Sequence, residues 1–350
     1  MWRRALVAVA VLIVVASCWF VWLLNAAGEF RTLAPHFDGT CSAVPGVIGA
    51  EDLTIHPRTG VAYISANDRR ATQAGRPAHG AIYAYDLNAA PAKPINVTPD
   101  ADPDFRPHGI SLYVAPDGAS SLFVINHAGG RNTIEVYEVG ESRLIHRATL
   151  SDPLLVAPND LLAVTATQVY VTNDHRYTAG VMRTVEDYFR RPWANVVMWD
   201  GKAFHEAAAG IRLANGINRS PDGKTVYVMS TIGKAVRVYD RDPASGGLTW
   251  RSEIPLDSGG DNIEVDADGS LWIGSHPKLL SLVRYMSGAA PRAPSQVLHV
   301  VRRGGGEYGV DEVYLDLGAQ LSAASVAAVR EKRLLIGAIA DAKFLDCQMH

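Results

Sequence analysis

A unit of about 50 residues recurs along this chain, and that period narrows the possible folds more than any other feature. Each copy opens with a polar pair, runs through a short apolar stretch and a Pro/Asp/Gly turn, and ends in a β-branched or aromatic strand. The first reads Glu51-Asp-Leu-Thr-Ile-His-Pro57 with Val61-Ala-Tyr-Ile-Ser65. Others begin at His108, Asn159, Asn215 and Asp261, and a degenerate copy runs through Ser325-Val-Ala-Ala-Val329 and Arg333-Leu-Leu-Ile-Gly337. A second strand pair follows most of them, as in Ala81-Ile-Tyr-Ala-Tyr85 and Thr133-Ile-Glu-Val-Tyr137. Four strands per unit and six units predict an all-β, six-bladed β-propeller. A β-sandwich has no such long period. The segment from Phe30 to Ile48 is expected to lend a strand to the last blade, so that both parts of the chain close the ring. At 350 residues the chain is long for one domain, but propellers reach this size.

Ahead of the repeat, Met1-Trp-Arg-Arg4 precedes an uncharged stretch from Ala5 to Ala27. A helix of that length crosses a hydrocarbon core of about 30 Å. Trp19, Phe20 and Trp22 lie toward its far end, where interfacial aromatics belong, and Arg3 and Arg4 favour the cytoplasmic side. The expected organisation is a signal anchor or transmembrane segment over residues 1–28 and a propeller domain over residues 29–350. The propeller would face the periplasm or the extracellular side. A cleaved signal peptide, giving a secreted protein, and a lipoprotein signal at Val15-Ala-Ser-Cys18 are the competing readings. The apolar run continues past Cys18 to Leu24, which is long for a signal peptide. Cys41 and Cys347 stand at opposite ends of the soluble part. In an oxidising compartment they are expected to pair and tie those ends together; two unrelated buried thiols are the alternative.

The balance of 33 Lys+Arg against 36 Asp+Glu, with no basic block, excludes a nucleic-acid surface. The chemistry lies in the polar pairs instead. The innermost strand of each blade lines the central channel, so Glu51-Asp52, His108-Gly109, Asn159-Asp160, Asn215-Gly216 and Asp261-Asn262 converge on one axis. Carboxylates brought together repel unless neutralised. Carboxylate and amide oxygens suit a hard cation, and their number suits Ca²⁺ better than Mg²⁺. Adjacent strand residues point in opposite directions, which divides the set between two ions. One site gathers Glu51, Asn159, Asn215, Asp261 and Asn262. The other takes Asp52, Asp160 and a backbone carbonyl near Ile110. The bland alternative is that such pairs only start turns and cap loops.

These residues resemble the calcium-dependent paraoxonases, a family of lactonases and arylesterases. The likeness runs from Cys41 to Cys347 through Gly49-Ala-Glu-Asp-Leu53, Pro107-His-Gly-Ile-Ser111, Val124-Ile-Asn-His127, Pro158-Asn-Asp-Leu161 and Val171-Thr-Asn-Asp-His175. It continues through Ala214-Asn-Gly-Ile-Asn-Arg-Ser-Pro-Asp-Gly223, Asp261-Asn-Ile-Glu-Val265 and Leu271-Trp-Ile-Gly-Ser-His-Pro277. The resemblance implies a six-bladed propeller with two axial calcium ions. Glu51, Asn159, Asn215, Asp261 and Asn262 would hold the catalytic one, and Asp52, Asp160 and the Ile110 carbonyl the structural one. It also implies the Cys41–Cys347 disulfide and a retained hydrophobic N-terminus. Two departures bear on substrate. Ser275 replaces the family's free thiol, and the loop Asn67 to Arg76 is more charged than its aromatic and aliphatic counterpart. That charge weighs against bulky apolar esters and organophosphates.

The expected activity is calcium-dependent opening of small lactones and cleavage of aryl esters. His108 begins an inner strand on the rim of the ligand set and suits a general base. The family's histidine dyad maps onto His108 and His127, the second orienting the first or relaying its protons. If both histidines only hydrogen-bond neighbouring strands, Glu51 or Asp261 is left to activate water. His175 and His276 are read as structural or lining residues. Alternatives are a gluconolactonase-like or strictosidine synthase-like propeller enzyme and a noncatalytic, membrane-tethered binding propeller. No pattern fixes an oligomeric state.

Overall fold

The computed structural model describes residues 2–76, 78–304 and 307–350, so Met1 of the expected anchor segment lies outside them. The repeats form six antiparallel blades around one axis. Five are laid down in chain order from the inside outward, over 50–96, 107–150, 158–211, 214–255 and 259–316. Each inner strand packs against the inner strand of the next blade, and Ala324–Arg330 returns to Ala50–Ile55. Apolar clusters fill the interfaces between neighbouring blades. Leu53, Ile64 and Tyr85 meet Val326, Leu335 and Phe344 across the junction of the last blade with the first. Burial on both faces accounts for second strands that read as continuous apolar runs, such as Thr225–Ser230.

The ring is closed as the repeat predicted, with one addition. The sixth blade takes Ala324–Arg330, Arg333–Ala338 and Lys343–Met349 from the end of the chain and Gly39–Pro45 from before the first repeat. Cys41 lies opposite Cys347 in that ladder, and the two form a disulfide spanning 306 residues. His36–Phe37 adds an unanticipated fifth strand to the preceding blade by pairing with Tyr314 and Leu315. One N-terminal segment thus fastens two adjacent blades. Two residues are too short a pattern to read as a strand.

Every inner strand is bulged, in five of them where the polar pair falls. The register breaks between Ala50 and Asp52, Pro107 and Ile110, Pro158 and Leu161, Ala214 and Ile217, Gly260 and Ile263, and Ala324 and Val326. A bulge bends its strand, re-aims side chains and leaves N–H groups outside the ladder. The close approach of these bulges explains two glycines. A Cβ on Gly109 would lie 2.6 Å from the Asn159 carbonyl, and one on Gly216 would lie 2.6 Å from that of Asp261.

Trp2–Ala26 is one helix, long and apolar enough to cross a membrane. Its far end is docked on the propeller. Trp19 stacks on Phe189 with centroids 5.3 Å apart, and Leu279 N–H donates to the Ala27 carbonyl at 2.9 Å. Glu29 accepts the Leu280 N–H at 2.9 Å and so supplies the negative charge favoured at the start of helix Leu279–Met286. That helix, Gly180–Tyr188 and the short Arg69–Gln73 contribute to one end of the channel.

Candidate active site

The bulges divide the axial residues between two cavities. One, of about 480 Å³, is lined by Glu51, His108, Asn159, Asn215, Asp261 and His276 and lies beneath the helices. Leu23 and Ala27 from the end of the N-terminal helix complete its wall. The other, of about 320 Å³, lies on the far side of the same inner strands and is lined by Asp52, Asp160 and Ile110. The neighbours in Glu51-Asp52 and Asn159-Asp160 therefore face different cavities. Asn262 lines neither, but its amide nitrogen donates to the Glu51 carbonyl at 3.1 Å and to Glu51 Oε1 at 3.0 Å.

The donor chemistry of the first cavity fits a hard cation. Asn159, Asn215 and Asn262 each bury a side-chain oxygen that has no hydrogen-bond partner among the described residues. Buried amide oxygens are ordinarily paired. Together with the carboxylates of Glu51 and Asp261, both almost wholly buried, they form the oxygen-only set that calcium takes. Asp261 Oδ2 is oriented by His276 Nε2 at 2.9 Å. Burial opposes ionisation of Glu51, but His108, when its Nε2 carries a proton, and Arg69 hold its carboxyl below the usual range. Burial pushes Asp261 upward despite its bond to His276.

The second cavity has fewer donors. Asp52 Oδ2 accepts the Ile110 N–H at 2.7 Å, and Asp160 Oδ2 accepts the Ile217 N–H at 2.8 Å. Burial drives both carboxyls well above the ordinary aspartate range, and for Asp52 the Asp160 charge adds to it. A divalent cation is an apt counter-charge for such a pair. Glu264, on the same wall and bonded by Thr54 Oγ1 at 3.2 Å, is raised to about 8 by burial.

His108 and His127 meet at the rim of the first cavity, with His108 Nδ1 2.9 Å from His127 Nε2. Asn132, which the sequence reading passed over, sets the direction of this chain. Its amide nitrogen donates to the carbonyls of Leu155 at 2.9 Å and Val156 at 3.0 Å, which turns its oxygen to His127 Nδ1 at 2.8 Å. His127 therefore donates from Nδ1 and accepts at Nε2, and His108 donates from Nδ1. The free lone pair falls on His108 Nε2, which lies 3.6 Å from Glu51 Oε2. Burial lowers His127 to about 4, with His108 a further cause, so that ring stays neutral.

Arg69 was also missed as an individual residue, although its loop stood out by charge. Its guanidinium lies 3.2 Å from Glu51 Oε2. His175 lines the cavity as a structural tie. Its ring nitrogens lie 2.6 Å from Asp174 Oδ1 and 2.7 Å from Asp187 Oδ1, which joins the rim to helix Gly180–Tyr188.

Residues 39–349 match the family model described as Arylesterase. Serum paraoxonase/arylesterase 2 of Gallus gallus is 34% identical over 326 residues, covering 90% of each chain. Serum paraoxonase/arylesterase 1 of Homo sapiens is 33% identical over 338 residues, covering 93% of this chain and 92% of its own. A solved luciferin-regenerating enzyme superposes with a TM-score of 0.57 at 12% identity, covering 89% of this chain and 95% of its own, a likeness of fold alone. Since the family match runs from the first closing strand to the last, this chain belongs to the arylesterase family.

Proposed function

We propose that the protein is a calcium-dependent hydrolase that opens lactones and cleaves aryl esters in the larger axial cavity lined by Glu51 and His108. The observation that carries this reading is the convergence there of unpaired amide oxygens, two carboxylates and a histidine whose free lone pair faces them. The names of the relatives, paraoxonase and arylesterase, support ester hydrolysis. Glu51, Asn159, Asn215, Asp261 and Asn262 would hold a catalytic ion. Asp52, Asp160 and the Ile110 carbonyl would hold a structural one. When bound, calcium supplies Lewis acidity to the substrate carbonyl and a positive charge beside the oxyanion.

The chain's own residues move the proton. His108 Nε2 takes it from the attacking water as the water oxygen bonds to the carbonyl carbon. The Nδ1–H of the same ring stays bonded to neutral His127, and Asn132 keeps both rings from turning. His108 then returns the proton to the departing alkoxide or phenolate oxygen as its C–O bond breaks. A lactone yields a single hydroxy acid; an aryl ester yields an acid and a phenol. The N-terminal helix is compatible with a signal anchor or with secretion. We favour retention, because Leu23 and Ala27 complete the cavity wall.

Hydrolysis of a lactone panel and phenyl acetate, with and without EDTA, tests the reading. Turnover that EDTA abolishes and calcium restores is expected. Full turnover in EDTA would overturn it, as would a calcium-loaded protein inert toward every lactone and aryl ester.

A further inference from the structure

Arg69 opens the short helix Arg69–Gln73 in the charged loop that follows the first blade's second strand. The helix is fastened by its neighbours. Asp68 Oδ1 accepts the Ala71 N–H at 2.9 Å, and the Arg70 guanidinium lies 3.7 Å from the Tyr285 ring centroid while donating to the Tyr285 carbonyl. Arg69 has looser ties. Besides Glu51 Oε2 at 3.2 Å, the one hydrogen bond of its guanidinium among the described residues is to the Gly49 carbonyl at 3.5 Å. Even so, its side chain is only 14% exposed and lines the cavity.

We infer that Arg69 is a resident counter-cation that competes with calcium for Glu51 and thereby lowers the calcium affinity of the first cavity. The inference rests on the calcium reading above. A guanidinium keeps its charge at any physiological pH, so Glu51 always has a positive partner within reach. In the ion-free protein that partner offsets a buried carboxylate that would otherwise be costly. A divalent ion beside Glu51 must share the carboxylate with Arg69 and meets a like charge in a cavity where screening is weak. Both effects favour the ion-free protein over the loaded one. Arg70 makes a control, because it carries the same charge on the next residue but is turned onto Tyr285.

Calcium titration of the stripped full-length protein in detergent, followed by calorimetry and by melting, tests this. Asp261→Ala identifies the binding event that belongs to the first cavity. Arg69→Gln should then tighten that event about tenfold, a change of about 1.4 kcal/mol in binding free energy. It should also lower the melting temperature in EDTA. Arg69→Lys, which keeps the charge, and Arg70→Gln should both stay within about threefold of wild type, less than half of that free-energy change. Unchanged or weaker binding by Arg69→Gln, in a protein whose wild type binds calcium, overturns this inference alone. A wild-type protein that binds no calcium overturns the calcium reading and this inference together.

Discussion

Asn132 Oδ1 accepts from His127 Nδ1 at 2.8 Å, and this contact decides which nitrogen of the histidine pair can take a proton. The Leu155 and Val156 carbonyls hold the Asn132 amide in the required sense. Replacing Asn132 with Leu releases His127 to either tautomer and leaves His108 without a fixed lone pair toward the cavity. Lactone kcat should fall by about tenfold or more, in line with the loss of a partner that orients a functional imidazole. Calcium affinity and melting should change little. Full turnover in Asn132→Leu would assign the contact to packing alone.

Removing calcium should destabilise the fold as well as stop turnover. Carboxylates buried around the axis repel without an ion, and a ligand bound only to the native state stabilises it by mass action. At free calcium 100 times the dissociation constant, each site contributes about 2.7 kcal/mol. Calorimetric melts in calcium and in EDTA measure this directly, and coincident melts would exclude both ions.

The period of the repeat made the blades and the ring closure legible, because four strands per unit leave a propeller little freedom, and the placement of Cys41 and Cys347 at its two ends made the disulfide legible. Periodicity also brought Glu51, Asn159, Asn215 and Asp261 to one wall without any knowledge of the bulges. It was silent on Asn132 and Arg69, whose importance depends on loops: one bonds a histidine five residues earlier, the other an acid eighteen residues earlier. Neither loop has a pattern, and in each the decisive variable is the direction of one side chain. Helices Gly180–Tyr188 and Leu279–Met286 were likewise hidden, since short insertions between strands interrupt the period without announcing their own.

His175 predicts a pH dependence of stability. Burial disfavours its charge, but its bonds to Asp174 and Asp187 outweigh burial and raise it from 6.5 to about 9. The folded state thus binds this proton more tightly than the unfolded chain. The resulting stabilisation is fully present below about pH 6.5 and is lost as pH rises through about 9. Urea unfolding from pH 6 to pH 10 should show this decline, and His175→Gln should flatten it. An identical slope in the variant would mean that other groups cause it.

The Cys41–Cys347 bridge closes a loop of 306 residues, for which chain-entropy arguments set an upper figure of about 6 kcal/mol. Without it, the last blade is closed by the ladder between Gly39–Pro45 and Lys343–Met349 alone. Unfolding of a Cys41→Ala/Cys347→Ala variant measures the difference. The blades should stay formed in the folded variant, because each interface keeps its own apolar cluster. A variant as stable as the parent would show that the strand ladder suffices.

Base and metal can be separated by paired substitutions. Asp261→Ala removes a carboxylate from the ligand set, so calcium affinity and turnover of every substrate should fall together. His108→Gln removes only the free lone pair on the rim. It should lower lactone kcat by about 10² or more, the usual worth of a positioned general base, while calcium affinity stays near wild type. Aryl esters should suffer less, because a phenolate departs with less help from a proton than an alkoxide does. Steady-state kinetics on one lactone and on phenyl acetate, with calcium calorimetry on the same preparations, distinguish the two patterns. If His108→Gln keeps wild-type lactone turnover from pH 6 to 9, the histidine pair is structural. Activation of water would then fall to Glu51 or Asp261, and the Asn132–His127–His108 chain would serve only to hold the rim.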